Sequence, residues 1–309
     1  MPVDSRAPIN GLFAAVATPV DVGGRVDLNA FDGIADFLLG AGVDGICVGG
    51  ATSEYPHFEV AERKSLIKRA ASRLNGGRAL LVGIGAPSLR LVLDVGAAAL
   101  DAGSRAVLLP MPMFFNYEQE DLHAFCATAS RGLRAPCLLY DLPEFSNPLS
   151  SSTALSLLRE EEFITGIKDS SGREGNLDTF AAARGKESWT LLIGDDRLLL
   201  KGMQSGWNGG ISGVAGFCPE LLVALRRSFI EGNEPETTRL QALLDELITH
   251  IAPFPAPWGI RIGLETRGFP TGALPLPLTP TRRRQILEFR DWFLPWWASA
   301  EFTGEGRKL

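Results

Sequence analysis

Histidine and cysteine, which often build metal sites and disulfide frameworks, are scarce in this sequence. The three histidines, His57, His123 and His250, lie far apart and have no metal-ligand spacing. The adjacent Asp195 and Asp196 would point in opposite directions on a strand, which argues against a magnesium site. The four cysteines include no C-x-x-C pair, and three of them lie in apolar runs. We therefore expect no metal, and reduced core thiols in a cytoplasmic protein.

Long apolar runs, a basic net charge and nucleotide-binding motifs are also absent. No run reaches the ~18 apolar residues that span a bilayer, and the N-terminus shows no signal-peptide pattern. The net charge of -6 and the isoelectric point near 5.3 argue against nucleic acid and anionic membranes as partners. There is neither a G-x-G-x-x-G motif after the first strand nor a Walker loop. We expect a small-molecule substrate and no cofactor.

The sequence does contain eight short apolar runs that alternate with helical patterns. The runs cover residues 12–18, 44–50, 79–85, 105–110, 137–143, 163–169, 189–196 and 209–216. Their lack of polar alternation is typical of parallel strands that are covered on both faces. Eight units of about 25 residues predict an α/β fold, a (β/α)8 TIM barrel that closes near residue 230.

The remaining residues show no further strand pattern. Segments 237–251 and 281–297 have the composition of helices, and a Pro-rich stretch separates them. We therefore divide the chain into a catalytic barrel, residues 1–230, and a C-terminal helical extension, residues 231–309. The last six residues, "GEGRKL", are expected to be frayed.

Lys168 is the residue that fits its surroundings least. It comes near the end of the apolar run "FITGIKD", residues 163–169, where a barrel has its active site. Burial of an amine without a partner favours its neutral form, which can attack a carbonyl carbon. The alternative is a structural ion pair with Asp169, Asp195 or Asp196.

Other strand ends offer candidate binding groups. Tyr140 ends the fifth run, and a phenol there can relay protons or simply cap the core. The small-residue turn "GGATSE", residues 49–54, can present backbone N–H groups to a carboxylate or phosphate, or form an ordinary tight turn. Gly194 opens "GDD", and "GGISG" covers residues 209–213. Loops after the seventh and eighth strands often bind phosphate in barrels, so these residues do not exclude a phosphorylated substrate.

Several of these segments together resemble the dihydrodipicolinate synthase/N-acetylneuraminate lyase family of class I, pyruvate-dependent aldolases. The resemblance extends over residues 10–280 or so. It rests on "ATPVDVGGRVD", "GGATSEYPHFEVAER", "LLYDLP", "GIKDSSG", "GDD" and "GGISGVAGFCP", which occur in the family's order and spacing. The resemblance implies that Lys168 forms a Schiff base with a 2-oxo acid and that Tyr140 is the proton relay. It also implies that the substrate lies near Gly194 and the Ile211 carbonyl, and that the turn Gly50, Ala51, Thr52 and Ser53 binds its carboxylate.

The chain also departs from the family's synthases. Ala51 lacks the hydroxyl of the usual Thr or Ser. Phe114 stands where those enzymes have a tyrosine that enters the neighbouring subunit's relay, and Phe145 stands where they have an arginine for the second substrate's carboxylate. Both phenylalanines therefore indicate a less charged pocket. The segment "KDSSG" resembles enzymes that act on 2-keto-3-deoxy sugar acids, which implies that hydroxyls such as that of Ser170 bind sugar hydroxyls.

We therefore predict a Schiff-base lyase, an aldolase or a dehydratase. Its substrate would be a 2-oxo acid such as a 2-keto-3-deoxy sugar acid, with pyruvate as product or donor. One alternative is dihydrodipicolinate synthase, an enzyme of lysine biosynthesis. Another is a non-catalytic barrel that binds a 2-oxo acid. The resemblance also implies a homo-oligomer, a tetramer or a dimer.

Overall fold

The computed structural model describes residues 7–74 and 77–302, and the tail expected to be frayed lies outside these residues. Eight parallel strands close into a barrel in chain order, with the last strand hydrogen-bonded to the first. The strands are β1 (Gly11–Ala15), β2 (Gly45–Val48), β3 (Ala79–Gly83), β4 (Ala106–Pro110), β5 (Cys137–Asp141), β6 (Ile164–Asp169), β7 (Thr190–Ile193) and β8 (Gly209–Ser212). All eight apolar runs contain a strand, so the predicted TIM barrel is confirmed.

Helices follow the strands and form the outer layer of the barrel. They are α1 (Leu28–Gly40), α2 (Val60–Leu74), α3 (Leu89–Asp101), α4 (Gln119–Leu133), α5 (Ser151–Glu160), α6 (Gly175–Arg184), α7 (Leu199–Gln204) and α8 (Pro219–Ile230). The Asp27 side chain accepts hydrogen bonds from two backbone N–H groups and so begins α1. Gly42 and Gly103 adopt φ values of 99° and 82° just after α1 and α3, where a side chain would be strained.

Two hydrophobic clusters separate the inside of the barrel from its outer layer. The inner cluster fills the barrel and includes Phe13, Cys47, Leu108, Tyr140 and Ile211. The outer cluster lies between the strands and the helices. Because each strand places alternate side chains in the two clusters, both of its faces are apolar, which is why the strands appear in the sequence as unbroken apolar runs.

The C-terminal helices pack onto the same outer cluster as the barrel helices. They are α9 (Glu234–Ile251), α10 (Trp258–Thr266) and α11 (Pro280–Ser299). The sequence predicts only a Pro-rich connection where α10 lies, and that prediction is wrong. At nine residues α10 is short, it contains Gly259 and Gly263, and it follows a Pro-rich stretch, so its helical pattern is weak in the sequence. The domain boundary near residue 230 stays a prediction.

None of the helices in the described ranges has the length and apolar character required to cross a bilayer.

Candidate active site

Lys168 and Tyr140 lie side by side at the C-terminal end of the barrel. They are partners in the register of β5 and β6, and the Lys168 nitrogen lies 4.1 Å from the centroid of the Tyr140 ring. Both residues are buried, with 5% and 2% of their surface exposed. Within residues 7–74 and 77–302, no carboxylate forms an ion pair with Lys168. The amine therefore has an aromatic neighbour in place of a counter-ion.

The three aspartates that the sequence offers as ion-pair partners of Lys168 accept hydrogen bonds from other groups. Asp169 accepts hydrogen bonds from the Ser171 N–H and the Asn176 amide, both at 2.7 Å. The Asp195 side chain accepts a hydrogen bond from the Arg197 N–H and so caps the short 3-10 helix Asp196–Leu198. Asp196 accepts one from the Val214 N–H at 2.9 Å. These bonds give all three carboxylates partners other than Lys168: Asp169 and Asp195 bind near their own positions in the chain, and Asp196 binds the loop after β8.

Gly194 supplies the space that Lys168 and Ser170 occupy. A Cβ atom on Gly194 would lie 1.9 Å from Ser170 Oγ and 2.7 Å from Lys168 Cε, so no larger residue fits without displacing both. The Ser170 backbone N–H donates to the Asp141 carbonyl at 2.9 Å. Its hydroxyl is buried and has no hydrogen-bond partner in the described part of the chain. A hydroxyl in this position is available to a ligand beside Lys168.

The turn after β2 is held by Ser53. Its hydroxyl accepts a hydrogen bond from the Gly49 N–H at 2.9 Å and donates to the Val16 carbonyl at 2.7 Å. The side chain therefore faces into the protein and binds the turn to β1. The backbone N–H groups of Ala51 and Thr52 have no acceptor among residues 7–74 and 77–302. Free N–H groups in a tight turn suit a carboxylate.

A buried ion pair joins this turn to the C-terminal extension. Glu54 has a φ of 51°, and its carboxylate accepts a hydrogen bond from Arg261 of α10 at 2.9 Å. Both side chains are almost completely buried. Arg261 also donates to the Thr271 and Ala273 carbonyls, at 2.7 and 2.8 Å. The sequence analysis missed this pair because its partners are separated by 207 residues and no local pattern links them.

Asp196 adds a titratable group near Lys168. Burial raises the pKa of its carboxyl to about 6, although hydrogen bonds from the Ser212 hydroxyl and the Val214 N–H oppose the shift. The carboxylate lies close to the end of β8, where a Cβ on Gly213 would be 3.6 Å from Asp196 Oδ2 and 3.8 Å from Thr52 Oγ1. Ile211, on β8, places its side chain in the inner cluster.

The predicted substrate residues Phe114 and Phe145 lie apart from this enclosed group. Phe114 is 92% exposed and has a φ of 77°, and Phe145 is also exposed. Phe114 packs edge-to-face on Phe115, with ring centroids 4.9 Å apart. The Asn147 amide holds the loop by donating to the Phe115 carbonyl at 2.7 Å. In a single chain these phenylalanines form an aromatic edge around the barrel opening.

Other candidate groups fit this site poorly. Burial raises the pKa of Cys47, in the barrel interior, to about 11, so its thiol is protonated at neutral pH and is a weak nucleophile. No group of three or more His, Cys, Asp or Glu side chains in the described ranges is arranged to hold a metal ion. Lys168 remains the best-placed nucleophile.

The model of the dihydrodipicolinate synthetase family matches residues 8–292, which is nearly the whole chain. The chain belongs to this family. Members of the dihydrodipicolinate synthetase family are lyases that use a Schiff-base lysine. This protein is therefore a class I lyase of the aldolase type. The alternative of a non-catalytic barrel is set aside.

Curated relatives within the dihydrodipicolinate synthetase family carry two different names. A 4-hydroxy-tetrahydrodipicolinate synthase of Sorangium cellulosum is 30% identical over 291 residues, which are 92% of this chain and 96% of the relative. A probable 2-dehydro-3-deoxy-D-pentonate aldolase of Escherichia coli is 28% identical over 241 residues, 77% of this chain and 80% of the relative.

Solved structures show the same fold. A dihydrodipicolinate synthase from Aquifex aeolicus has a TM-score of 0.87 at 24% identity, covering 93% of this chain and 98% of that one. A prophage protein of the same family from E. coli K12, solved in complex with pyruvate, has a TM-score of 0.86 at 22% identity, covering 94% of this chain and 99% of that one.

Proposed function

We propose that Lys168 is the Schiff-base lysine of this enzyme and that the substrate is a 2-keto-3-deoxy sugar acid or a similar 2-oxo acid. The observation that supports this most directly is the buried amine of Lys168, which has no counter-ion in the described chain and lies against the Tyr140 ring. Burial of an amine without a carboxylate partner costs free energy of folding, so a purely structural role does not explain Lys168. A role as nucleophile explains it.

The chemistry begins with attack of the neutral Lys168 nitrogen on C2 of the 2-oxo acid. The C–N bond forms, the C=O π electrons move to oxygen, and one proton passes from nitrogen to oxygen. The carbinolamine then takes up a proton on that oxygen and loses water, which leaves a protonated imine. Tyr140 is the group we assign to these proton transfers, because its ring is next to the amine.

The imine accepts electrons in either reaction that we consider. In aldol cleavage, the C3–C4 electron pair moves toward the imine nitrogen while the C4 hydroxyl loses its proton and becomes an aldehyde. Proton return to C3 and hydrolysis then release pyruvate. In dehydration, C3 loses a proton and the C4 hydroxyl leaves as water. Both need only groups that accept and donate protons at the end of the barrel.

The remaining groups would bind the substrate. We assign its carboxylate to the free N–H groups of Ala51 and Thr52, in the turn that begins at Gly50 and that Ser53 holds. We also assign to the substrate region the carbonyl of Ile211, on β8, and the space beside Gly194, which directly follows β7. Ser170 and Asp196 supply polar groups for sugar hydroxyls, since the Ser170 hydroxyl has no partner in the described chain.

A second candidate function is 4-hydroxy-tetrahydrodipicolinate synthase. It is favoured by the name of the Sorangium cellulosum relative. The sugar-acid proposal is favoured by the name of the E. coli pentonate aldolase and by Phe145, an apolar side chain in the loop after β5. Phe145 has no positive charge for the carboxylate of an aldehyde substrate. We also propose that the enzyme works in the cytoplasm as a homo-oligomer, a tetramer or a dimer.

The proposal is tested by trapping the imine. The protein is incubated with pyruvate and borohydride, and the modified peptide is mapped by mass spectrometry. We expect one reduced pyruvate adduct on Lys168 and none in Lys168→Ala. Lys201→Ala is the matched control, because Lys201 is exposed and paired with Glu174. An adduct elsewhere, or none on a folded wild-type protein, would contradict the proposal.

The substrate is then identified by comparing two reactions on the same preparation. Pyruvate with aspartate semialdehyde tests the synthase. Release of pyruvate, or of a dehydrated 2-oxo acid, from 2-keto-3-deoxy sugar acids tests the proposed lyase. We expect turnover with sugar acids to exceed the synthase reaction. The reverse ranking would favour the second candidate.

A further inference from the structure

Tyr55 is one of only three tyrosines in the chain, and it directly follows the turn that we assign to the substrate carboxylate. It begins the short 3-10 helix Tyr55–His57 and is only 7% exposed. The Arg63 guanidinium lies 4.9 Å from its ring centroid and donates a hydrogen bond to the Gly85 carbonyl at 2.8 Å. The ring is therefore held between α2 and the end of β3.

The Tyr55 hydroxyl lies at the active-site end of the barrel. A Cβ atom on Gly85 would be 2.5 Å from the Tyr55 hydroxyl oxygen and 2.7 Å from Pro110 Cγ. Gly85 follows β3, and Pro110 ends β4, where it pairs in register with Tyr140. The Tyr55 hydroxyl thus lies at the ends of β3 and β4, and Tyr140 and Lys168 lie at the ends of the next two strands.

Neither phenol uses its hydroxyl to stabilise the fold. In residues 7–74 and 77–302, the hydroxyls of Tyr55 and Tyr140 form no hydrogen bond, and neither is among the fully enclosed polar atoms without a partner. Buried tyrosines usually place this group on a partner. Two free hydroxyls that both border the barrel opening are therefore available to substrate, to water or to each other.

The electrostatics keep Tyr55 in the form that a relay needs. Burial raises the pKa of Tyr55 to about 12, Arg63 opposes this shift, and the nearby Tyr140 adds to it. Tyr55 is therefore a neutral phenol at physiological pH, with one proton to donate and lone pairs that accept. The same interaction indicates that Tyr140 lies close enough to act on Tyr55.

We infer that Tyr55 is the second hydroxyl of the proton relay and returns to Tyr140 the proton that Tyr140 gives to the substrate oxygen. This inference rests on the proposed function. When Tyr140 protonates the departing oxygen of the carbinolamine, its phenolate takes the Tyr55 proton through a bridging water, and Tyr55 regains a proton from solvent water, which leaves hydroxide in the solvent. The net change is one proton moved from water to the leaving oxygen. Ala51 and Phe114 have no hydroxyl for this step.

The test is Tyr55→Phe, which removes one oxygen and keeps the buried ring. Pyruvate is supplied in deuterated water, exchange of its methyl protons is followed by NMR, and the imine is trapped in parallel with borohydride. We expect the adduct on Lys168 to reach the wild-type level, while kcat for exchange falls on the order of 10²-fold and KM for pyruvate stays the same. Tyr117→Phe, at an exposed tyrosine, is the matched control and should exchange at the wild-type rate.

Exchange in Tyr55→Phe within about twofold of wild type, with the adduct formed, would overturn the inference and leave the proposed function intact. A raised KM with unchanged kcat would also overturn it, because Tyr55 would then only shape the binding turn. If wild-type protein forms no adduct, the proposed function fails, and the inference fails with it.

Discussion

Two regions at the C-terminal end of the barrel differ in burial, hydrogen bonding and chemistry. The first, which we name the polar wall, is buried or half-buried and comprises Thr52, Glu54, Lys168, Ser170, Asp196 and Ser212. The second, the aromatic edge, consists of the exposed side chains Phe114, Phe115 and Phe145 on the loops after β4 and β5. Of the polar wall, Lys168 and Ser212 are on strands, and the other four residues lie in the loops that follow β2, β6 and β7.

The difference shows how one barrel divides its tasks. Groups that must be placed to within a fraction of an ångström are on the strand ends, where the sheet holds the backbone. The exposed loops can change without disturbing them. We therefore expect substitutions in the polar wall to abolish chemistry or stability, and substitutions in the aromatic edge to alter substrate choice. Four predictions test this comparison, from the largest expected effect to the smallest.

Glu54→Gln should have the largest effect on stability. It removes one charge of a buried pair and leaves the Arg261 guanidinium without a counter-ion. We expect the free energy of unfolding to fall by about 3–5 kcal/mol, measured by urea denaturation. Glu288→Gln is the control, because Glu288 pairs with Arg284 on the exposed face of α11, and it should cost ~1 kcal/mol or less. Equal effects would show that the pair does not stabilise the turn.

Gly194→Ala should damage catalysis more than stability. The new methyl group overlaps Ser170 Oγ and Lys168 Cε, so the amine must move. We expect kcat for exchange of the pyruvate methyl protons to fall about 10²-fold, because a shift of roughly 1 Å can cost that much. Gly33→Ala is the control, since no atom apart from the adjacent backbone of α1 lies within 4 Å of the added atom. Wild-type rates in Gly194→Ala would show that Lys168 tolerates displacement.

Asp196 should make stability depend on pH in acid. Its pKa is raised from 3.8 to about 6 in the folded protein, so the folded state holds a proton that the unfolded state has lost between these values. The contribution of the protonated Asp196 carboxyl to the free energy of unfolding is therefore complete below pH 3.8 and is lost as pH rises through 6. Relative to Asp196→Asn, the wild-type free energy of unfolding should fall by on the order of 2 kcal/mol from pH 4 to pH 7, measured by urea denaturation. A constant difference would argue against the raised pKa.

Phe145→Ala should have the smallest effect on the first half-reaction. Phe145 is exposed at the aromatic edge, so its loss should change stability by no more than ~0.5 kcal/mol and leave trapping of pyruvate on Lys168 within about twofold of wild type. The ranking of second substrates should change instead, which a screen of aldehydes would measure. A large loss of imine formation would contradict the division between wall and edge.

The fold and the centre of the site were predictable because they rest on local patterns. Strands covered on both faces are apolar throughout, so eight runs indicated eight strands, and Lys168 and Tyr140 were conspicuous at the ends of theirs. The helix α10 was missed because it is only nine residues long, contains two glycines and follows a Pro-rich stretch. The roles predicted for Phe114 and Phe145 stay predictions, since a single chain leaves both exposed.

The sequence by itself determined the barrel, its order of strands and the identity of the residues at each strand end. Strands that are buried on both faces are apolar throughout, so each can be recognised from its own composition. Parallel strands in a barrel have their carboxyl ends at the same end, so the residues that follow them lie near one another. Only the tertiary structure decided which of those residues have partners. Asp169 binds within its own loop, Asp196 binds the loop after β8, Glu54 binds an arginine 207 residues away, and Lys168 is left without a counter-ion in the described chain. The reason is physical: ion pairs and free hydroxyls depend on distances between segments far apart in the chain, and no local pattern encodes those distances.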